Sequence, residues 1–308
     1  MSQEPIVILC PGQGAQSVGM GKAWHDASDA AANTFKEADE ILADSLGAPL
    51  SELCFEGPAE KLNRTDITQP GLYVCGVASY RGMVQANGPM PIAATAGLSL
   101  GEYTALHLAG AFNFSEGLKL VALRGKLMQE AAERIDSSMV ALIGADEGQA
   151  QEICDEASQG EVLVPANFNA PGQIVLSGHT LACNRAIQAA QGKQIRATSL
   201  TVAGAFHSPL MQTAADELEK ALASIAIGDL KTQVWSNVTG KPHDPHNPEL
   251  LKQRLVEQLI NPVRWDETCQ QLALEGTIQF HELAPGGVLR GLMRRINRSV
   301  KVHKHDEP

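Results

Sequence analysis

The segment "PIAATAGLSLGEYTALHLAGAF" places Ser99 between Gly97 and Gly101, where a short apolar run meets a helical one. A G-x-S-x-G spacing with a strand before it and a helix after it is the setting of a nucleophile elbow. The hydroxyl then stands over the N-terminus of the new helix. Unpaired backbone N–H groups there, that of Leu100 among them, can stabilise a developing oxyanion. The two glycines leave room that a side chain would fill. The same serine could also cap an ordinary helix, so at this level both readings stay open.

A serine hydroxyl reacts only with a base beside it. Of the nine histidines, His303 and His305 lie in a charged tail, and His243 and His246 lie in the Pro-rich loop "KPHDPHNPEL". His207 differs, standing among small and apolar residues in "TVAGAFHSPLM", directly after a predicted strand. Loops at strand C-termini are where open α/β sheets build their sites. A buried structural histidine is the competing reading. No acid adjoins His207, so a group that orients its ring must come from elsewhere.

Arg124 is the third candidate. In "NFSEGLKLVALRGKLMQEAAERI", Ser115 and Glu116 mark a helix start, and Leu120, Val121, Leu127, Met128 and Ala131 form one apolar stripe. Lys119, Lys126 and Glu133 mark the opposite face. Arg124 falls in the middle of the stripe, where a guanidinium needs an anion or other acceptors. Either a carboxylate of the protein or a substrate group could supply them, and a bidentate pair with the latter would make lysine a poor substitute.

These residues need elements to hold them. Short apolar runs such as "PIVILC" and "PIAATAG", separated by helical stretches, predict a parallel sheet covered on both faces. Between about Ser137 and Thr201 the order becomes β-α-β-β-α-β, a ferredoxin-like pattern inserted in the larger unit. The expected division is 1–136 with 202–308 as the core and 137–201 as the subdomain. Six scattered cysteines without a CxxC read as reduced, buried thiols of a cytoplasmic protein. "MSQEPIVILC" lacks a basic leader, and no window is apolar enough to span a membrane. A net charge of −11 argues against a nucleic-acid surface. Against that background "LRGLMRRINRSVKVHKH" is basic, either as a solvated helix face and tail or as a patch for an acidic partner.

Taken in order, several segments resemble the malonyl-CoA:acyl carrier protein transacylase family and the acyltransferase domains of polyketide synthases. They are "PGQGAQSVGMG" at 11–21, "TDITQPGLYV" at 65–74, "GLSLGEYTAL" at 97–106 and "LRGKLMQEA" at 123–131, followed by "NFNAPGQIVLSG" at 167–178, "GAFHSPLM" at 204–211, "LVEQLINPVRW" at 255–265 and "ELAPGGVLRGL" at 282–292. The resemblance implies an α/β-hydrolase-like core with a ferredoxin-like subdomain. It implies ping-pong transfer of malonyl from malonyl-CoA to the phosphopantetheine thiol of acyl carrier protein, with no metal or cofactor. Ser99 matches the nucleophile, His207 the base, and Gln13 and Leu100 the two oxyanion-hole amides. Arg124 matches the arginine that binds malonate's free carboxylate. Gln258 is the expected source of a backbone carbonyl that orients His207, and Asn169 has a supporting role.

Phe206 in "AFH" resembles the malonyl-selective signature, since its ring would crowd an α-methyl branch. The family usually has histidine where this chain has Leu98. Arg290, Arg294, Arg295, Arg298 and Lys301, with Lys193 and Arg196, are the expected dock for the acidic carrier, and a chain of this size could act as a monomer. A serine esterase or thioesterase on the same scaffold is the alternative reading, and a non-catalytic scaffold the next.

Overall fold

The computed structural model describes residues 4–274 and 279–308; the first three residues of "MSQEPIVILC", read above for a leader, lie outside them. Among the described residues the strands are β1 (Ile6–Cys10), β2 (Ile92–Gly97), β3 (Ser137–Ile143), β4 (Leu163–Ala170), β5 (Gln173–His179), β6 (Arg196–Ser199), β7 (Gln233–Val234), β8 (Gln279–Leu283) and β9 (Val302–His305). They form two sheets. The first is parallel, in the order β7-β2-β1-β8-β9; the second is antiparallel, in the order β4-β5-β3-β6.

The parallel sheet explains why "IVILC" is apolar at every position. Successive side chains point to opposite faces, and both faces are covered. Ile6, Ile8 and Cys10 enter the large core with the long helices Thr65–Asn87 and Phe114–Arg134. Val7 and Leu9 enter a second cluster with Trp265, Phe280, Leu289 and Met293 on the far side.

The antiparallel sheet splits its residues in the same period-2 manner. Val140 and Leu142 pack under the helices Glu147–Ser158 and Thr180–Gly192, while Met139 and Val175 face the main core. It is stitched to the rest through Val263, whose N–H donates to Ala166 O (2.9 Å) and whose carbonyl accepts from Phe168 N–H (2.9 Å).

Three expectations change in detail. The arginine-bearing helix starts at Phe114, one residue before Ser115: Asn113 caps it in a reciprocal capping box with Glu116. His303 and His305 belong to no loose tail, because the last stretch pairs with β8 as the edge strand β9. The Pro-rich loop is not all surface, since His243 turns inward and is buried. All six cysteines are free and buried. Among the described residues no helix is long and apolar enough to cross a membrane.

Candidate active site

Two loops meet at the C-terminal edge of the parallel sheet. β1 and β2 are neighbours with Cys10 opposite Gly97, so the chain leaving each strand runs side by side. Backbone touches backbone there. Leu98 N–H donates to Cys10 O (3.1 Å), and a Cβ on Gly12 would stand 2.1 Å from Leu98 O. A Cβ on Gly97 would lie 1.9 Å from the Gly101 carbonyl carbon, and one on Gly101 2.0 Å from Cys10 O. Gly12, Gly97 and Gly101 are therefore steric necessities of one joint, whereas Gly14 has open space around it and serves its left-handed φ of 102°.

Ser99 sits at its apex with φ 51°, in the left-handed region that costs a non-glycine residue about 1 kcal/mol or more. His207 also has a left-handed φ, 57°. Its Nε2 lies 2.9 Å from Ser99 Oγ and its Nδ1 2.7 Å from the backbone carbonyl of Gln258. A carbonyl can only accept, so Nδ1 carries the proton and Nε2 is free to accept that of the serine. The orienting group sought in the sequence is thus a main-chain oxygen. Burial, reinforced by the Arg124 charge, pulls the His207 pKa down to about 4, against a smaller upward pull from the Gln258 carbonyl. At physiological pH the imidazole is neutral, with Nε2 unprotonated.

Arg124 is 1 % exposed. Its Nη1 donates to Gln69 Oε1 (2.6 Å), and its Nη2 donates to Gln258 Oε1 (2.8 Å) and to Ser99 Oγ (3.0 Å). Its face lies over the Tyr103 ring, 5.2 Å from the centroid. Nε is buried without a partner among the described residues. Burial lowers the pKa of the guanidinium from its ordinary value, yet arginine cannot discharge itself in a protein. Among the described residues no carboxylate reaches it in an ion pair; its acceptors are neutral amides and the serine. The choice the sequence left open goes against a direct pair with a carboxylate of the chain.

Ser99, Arg124 and His207 line one cavity of about 150 Å³ together with Gln13, Leu98, Leu100, Asn167 and Asn169. Met128, Met139, Val175, Leu200, Val202 and Phe206 supply its apolar wall. The volume is below the ~300 Å³ at which pockets for drug-sized ligands begin, which suits a short acyl group. Among the described residues the main-chain N–H groups of Gln13 and Leu100 have no protein acceptor, whereas that of Ser99 is taken by Asn237 Oδ1 (2.6 Å). Asn169 Oδ1 is buried and likewise unpartnered.

The basic residues lie apart from the cavity. The helix Val288–Ile296 buries Leu289, Leu292 and Met293 and exposes Arg290, Arg294 and Arg295, with Arg298 and Lys301 exposed just beyond it. Among the described residues these five cations make no salt bridge. Lys193 is different, standing 3.5 Å from Glu152 and 3.8 Å from Glu156.

Sequence reasoning missed four residues of the surrounding network. Gln69 stands in the quoted "TDITQPGLYV" without having been given a role. Glu102, Asn237 and His243 are buried beneath the elbow. An acid directly after "GLSLG" on an otherwise apolar helix was the available signal for the first of these three.

A serine hydrogen-bonded to a histidine that the main chain orients, with a buried cation facing the same small cavity, is an arrangement suited to acyl transfer. Residues 7–305 match the model of the acyl transferase domain. The chain is 40 % identical over 306 residues to the malonyl CoA-acyl carrier protein transacylase of Escherichia coli K12, covering 98 % of this chain and 96 % of that one. With the Bacillus subtilis protein of the same name it shares 38 % over 305 residues, 98 % of this chain and 94 % of the other. Among solved structures, the malonyl CoA-acyl carrier protein transacylase from Coxiella burnetii superposes with a TM-score of 0.93 at 36 % identity, covering 100 % of this chain and 96 % of that one. A structure of a type II polyketide-synthase acyl-carrier protein in complex with its malonyl-transacylase gives 0.93 at 38 % identity, with 99 % and 96 % covered. The chain belongs to the malonyl CoA-acyl carrier protein transacylase family.

Proposed function

We propose that this chain transfers the malonyl group of malonyl-CoA to the phosphopantetheine thiol of an acyl carrier protein, by way of an ester on Ser99. The observation that carries the reading is the Arg124 guanidinium, 3.0 Å from Ser99 Oγ and without a carboxylate partner among the described residues. A cation held beside the nucleophile and given no carboxylate of its own selects an acyl group that ends in one.

His207 Nε2 takes the Ser99 proton as Oγ attacks the thioester carbon. The free N–H groups of Gln13 and Leu100 receive the oxyanion. The C–S bond breaks, and the proton passes from His207 to the departing coenzyme A sulfur. In the second half the carrier thiol gives its proton to Nε2, its sulfur attacks the ester, and Oγ leaves with that proton. The cycle uses no metal or cofactor. Phe206 on the cavity wall excludes an α-methyl branch, and Asn169 supplies a free polar atom to the substrate.

Arg290, Arg294, Arg295, Arg298 and Lys301 dock the acidic carrier. Two facts support this: they are unpaired cations on a chain of net charge −11, and their helix shares an apolar cluster with Leu98 and Ala170 beside the cavity. Lys193, already answered by two acids, contributes less. In this reading the protein works as a cytoplasmic monomer. Residues 1–136 with 202–308 form an α/β-hydrolase-like core, and 137–201 form a ferredoxin-like subdomain whose strand order supports that name.

Intact-protein mass spectrometry after mixing with malonyl-CoA, followed by addition of holo-carrier or buffer alone, tests the proposal. One malonyl adduct is expected on the wild type and none on Ser99→Ala, with the adduct passing to carrier faster than to water. Rapid release of free malonate would make the protein a thioesterase, and an adduct that persists on Ser99→Ala would displace the nucleophile.

A further inference from the structure

Beneath the elbow lies a buried carboxylate for which the transfer cycle has no use. Glu102 is fully buried, one residue past the Gly101 joint. Its Oε2 accepts from Gln258 Nε2 (2.6 Å) and from Asn237 main-chain N–H (3.1 Å), and its Oε1 accepts from His243 Nε2 (2.7 Å). Two of these three partners, Asn237 and Gln258, reach back to the elbow. Asn237 accepts from Ser99 N–H and donates through Nδ2 to Gly97 O (2.7 Å), bracketing the strained turn. Gln258 Nε2 also donates to Ser99 O (3.1 Å), while its Oε1 faces Arg124.

Donor and acceptor types leave the Gln258 amide a single orientation. A carboxylate and a carbonyl only accept, so both call for Nε2; a guanidinium only donates, so it calls for Oε1. We infer that Glu102, buttressed by His243, is a positioning residue: it keys the Gln258 side chain so that an acceptor always faces Arg124. The guanidinium is thereby aimed into the cavity without a carboxylate touching it. With a glutamine at position 102 the key is weakened, because an amide can donate as well as accept and only the Ser99 carbonyl still calls for Nε2. Gln258 can then turn and present Nε2 to the guanidinium, two donors face to face. This inference rests on the role proposed above for Arg124.

The test compares malonyl-CoA with acetyl-CoA, which lacks the distal carboxylate, in the full-length protein. For Glu102→Gln, kcat/KM with malonyl-CoA should fall about tenfold, mainly through KM, while that with acetyl-CoA stays within about twofold. In an Arg124→Ala background the same substitution should leave the malonyl-to-acetyl ratio unchanged, since the residue it acts through is gone. Gln258→Met retains the main-chain carbonyl against His207 and removes the amide, so, whatever it costs both thioesters, its loss with malonyl-CoA should exceed that with acetyl-CoA, and it decides the matter where Glu102→Gln does not fold. Equal losses with both thioesters would show plain scaffolding and overturn the inference. So would a lowered malonyl-CoA KM, which would mean that Glu102 only competes electrostatically for Arg124. If Arg124→Ala alone left the ratio intact, the reading of Arg124 would fail and this inference with it; an intact ratio confined to Glu102→Gln and Gln258→Met would sink the inference alone.

Discussion

The two sheets meet across one small cavity and bring different things to it. In the proposed cycle the edge of the parallel sheet supplies the nucleophile, Ser99, while the base, His207, comes from the segment after β6 and is tied to it by a hydrogen bond. The parallel sheet's central strand β1 is buried on both faces, the turns after β1 and β2 touch backbone to backbone, and Ser99 is held in a strained conformation by directional hydrogen bonds. The antiparallel sheet supplies mostly a surface: Met139 and Val175, with Phe206 on the segment that follows, make a wall of non-directional contacts, and Asn169 on β4 adds one free polar atom. Strain and polar networks tolerate almost no displacement, whereas an apolar wall deforms by repacking. Chemistry should be set on the first side and acyl-group tolerance on the second.

The sharpest way to break this division is to cut into the polar side. Ser99→Ala should lose transfer by about 10⁴-fold or more, and His207→Ala by about 10³-fold, measured as malonyl-carrier formed per second with the fold checked by circular dichroism. A retained rate in either would put the chemistry elsewhere. Arg124→Ala removes a buried, charge-assisted contact of about 3 kcal/mol, so kcat/KM for malonyl-CoA should fall roughly 100-fold.

Acidity probes the same side without mutation. In the proposed cycle His207 is a neutral base with a pKa pulled down to about 4, so kcat/KM should be flat with respect to this group above pH 5 and fall as pH drops through about 4. An acid limb near the ordinary histidine value of 6.5 would contradict the buried geometry. The sign for stability follows from the same shift. Between pH 6.5 and 4 the unfolded chain binds the proton and the folded one does not, so this histidine's contribution is present above 6.5 and lost as pH falls through that window.

On the apolar side the effects should be smaller and confined to choice of acyl group. Phe206→Ala should raise the methylmalonyl-to-malonyl ratio of kcat/KM about tenfold while leaving the malonyl rate nearly intact. A large loss of malonyl rate would erase the distinction between wall and machinery. Smallest of all, Arg294→Glu with Arg295→Glu should raise the KM for carrier protein about fivefold and leave acylation by malonyl-CoA unchanged; an unmoved KM would place the dock elsewhere.

What could be read from the sequence follows the same line. Ser99 was legible because its glycines are imposed by crowding within a few residues, and Arg124 because a charge in an apolar stripe violates a helical period. The strand and helix order was legible because burial on two faces or one writes itself as runs or alternation. The network under the elbow was not. Glu102, Asn237, His243 and Gln258 lie as many as 156 positions apart along the chain, and no local pattern joins an acid on one helix to an amide on another. His243 was hidden by a Pro-rich setting that usually lies in solvent, and the edge strand β9 by its charged composition, which suits the rim of a sheet.

The crystal structure of the wild-type protein acylated by malonyl-CoA tests the central claim most directly. The distal carboxylate of the Ser99 ester should lie within hydrogen-bond distance of the Arg124 guanidinium, with Gln69 and Gln258 still flanking it. A carboxylate turned to solvent, or held by any other cation, would contradict the account.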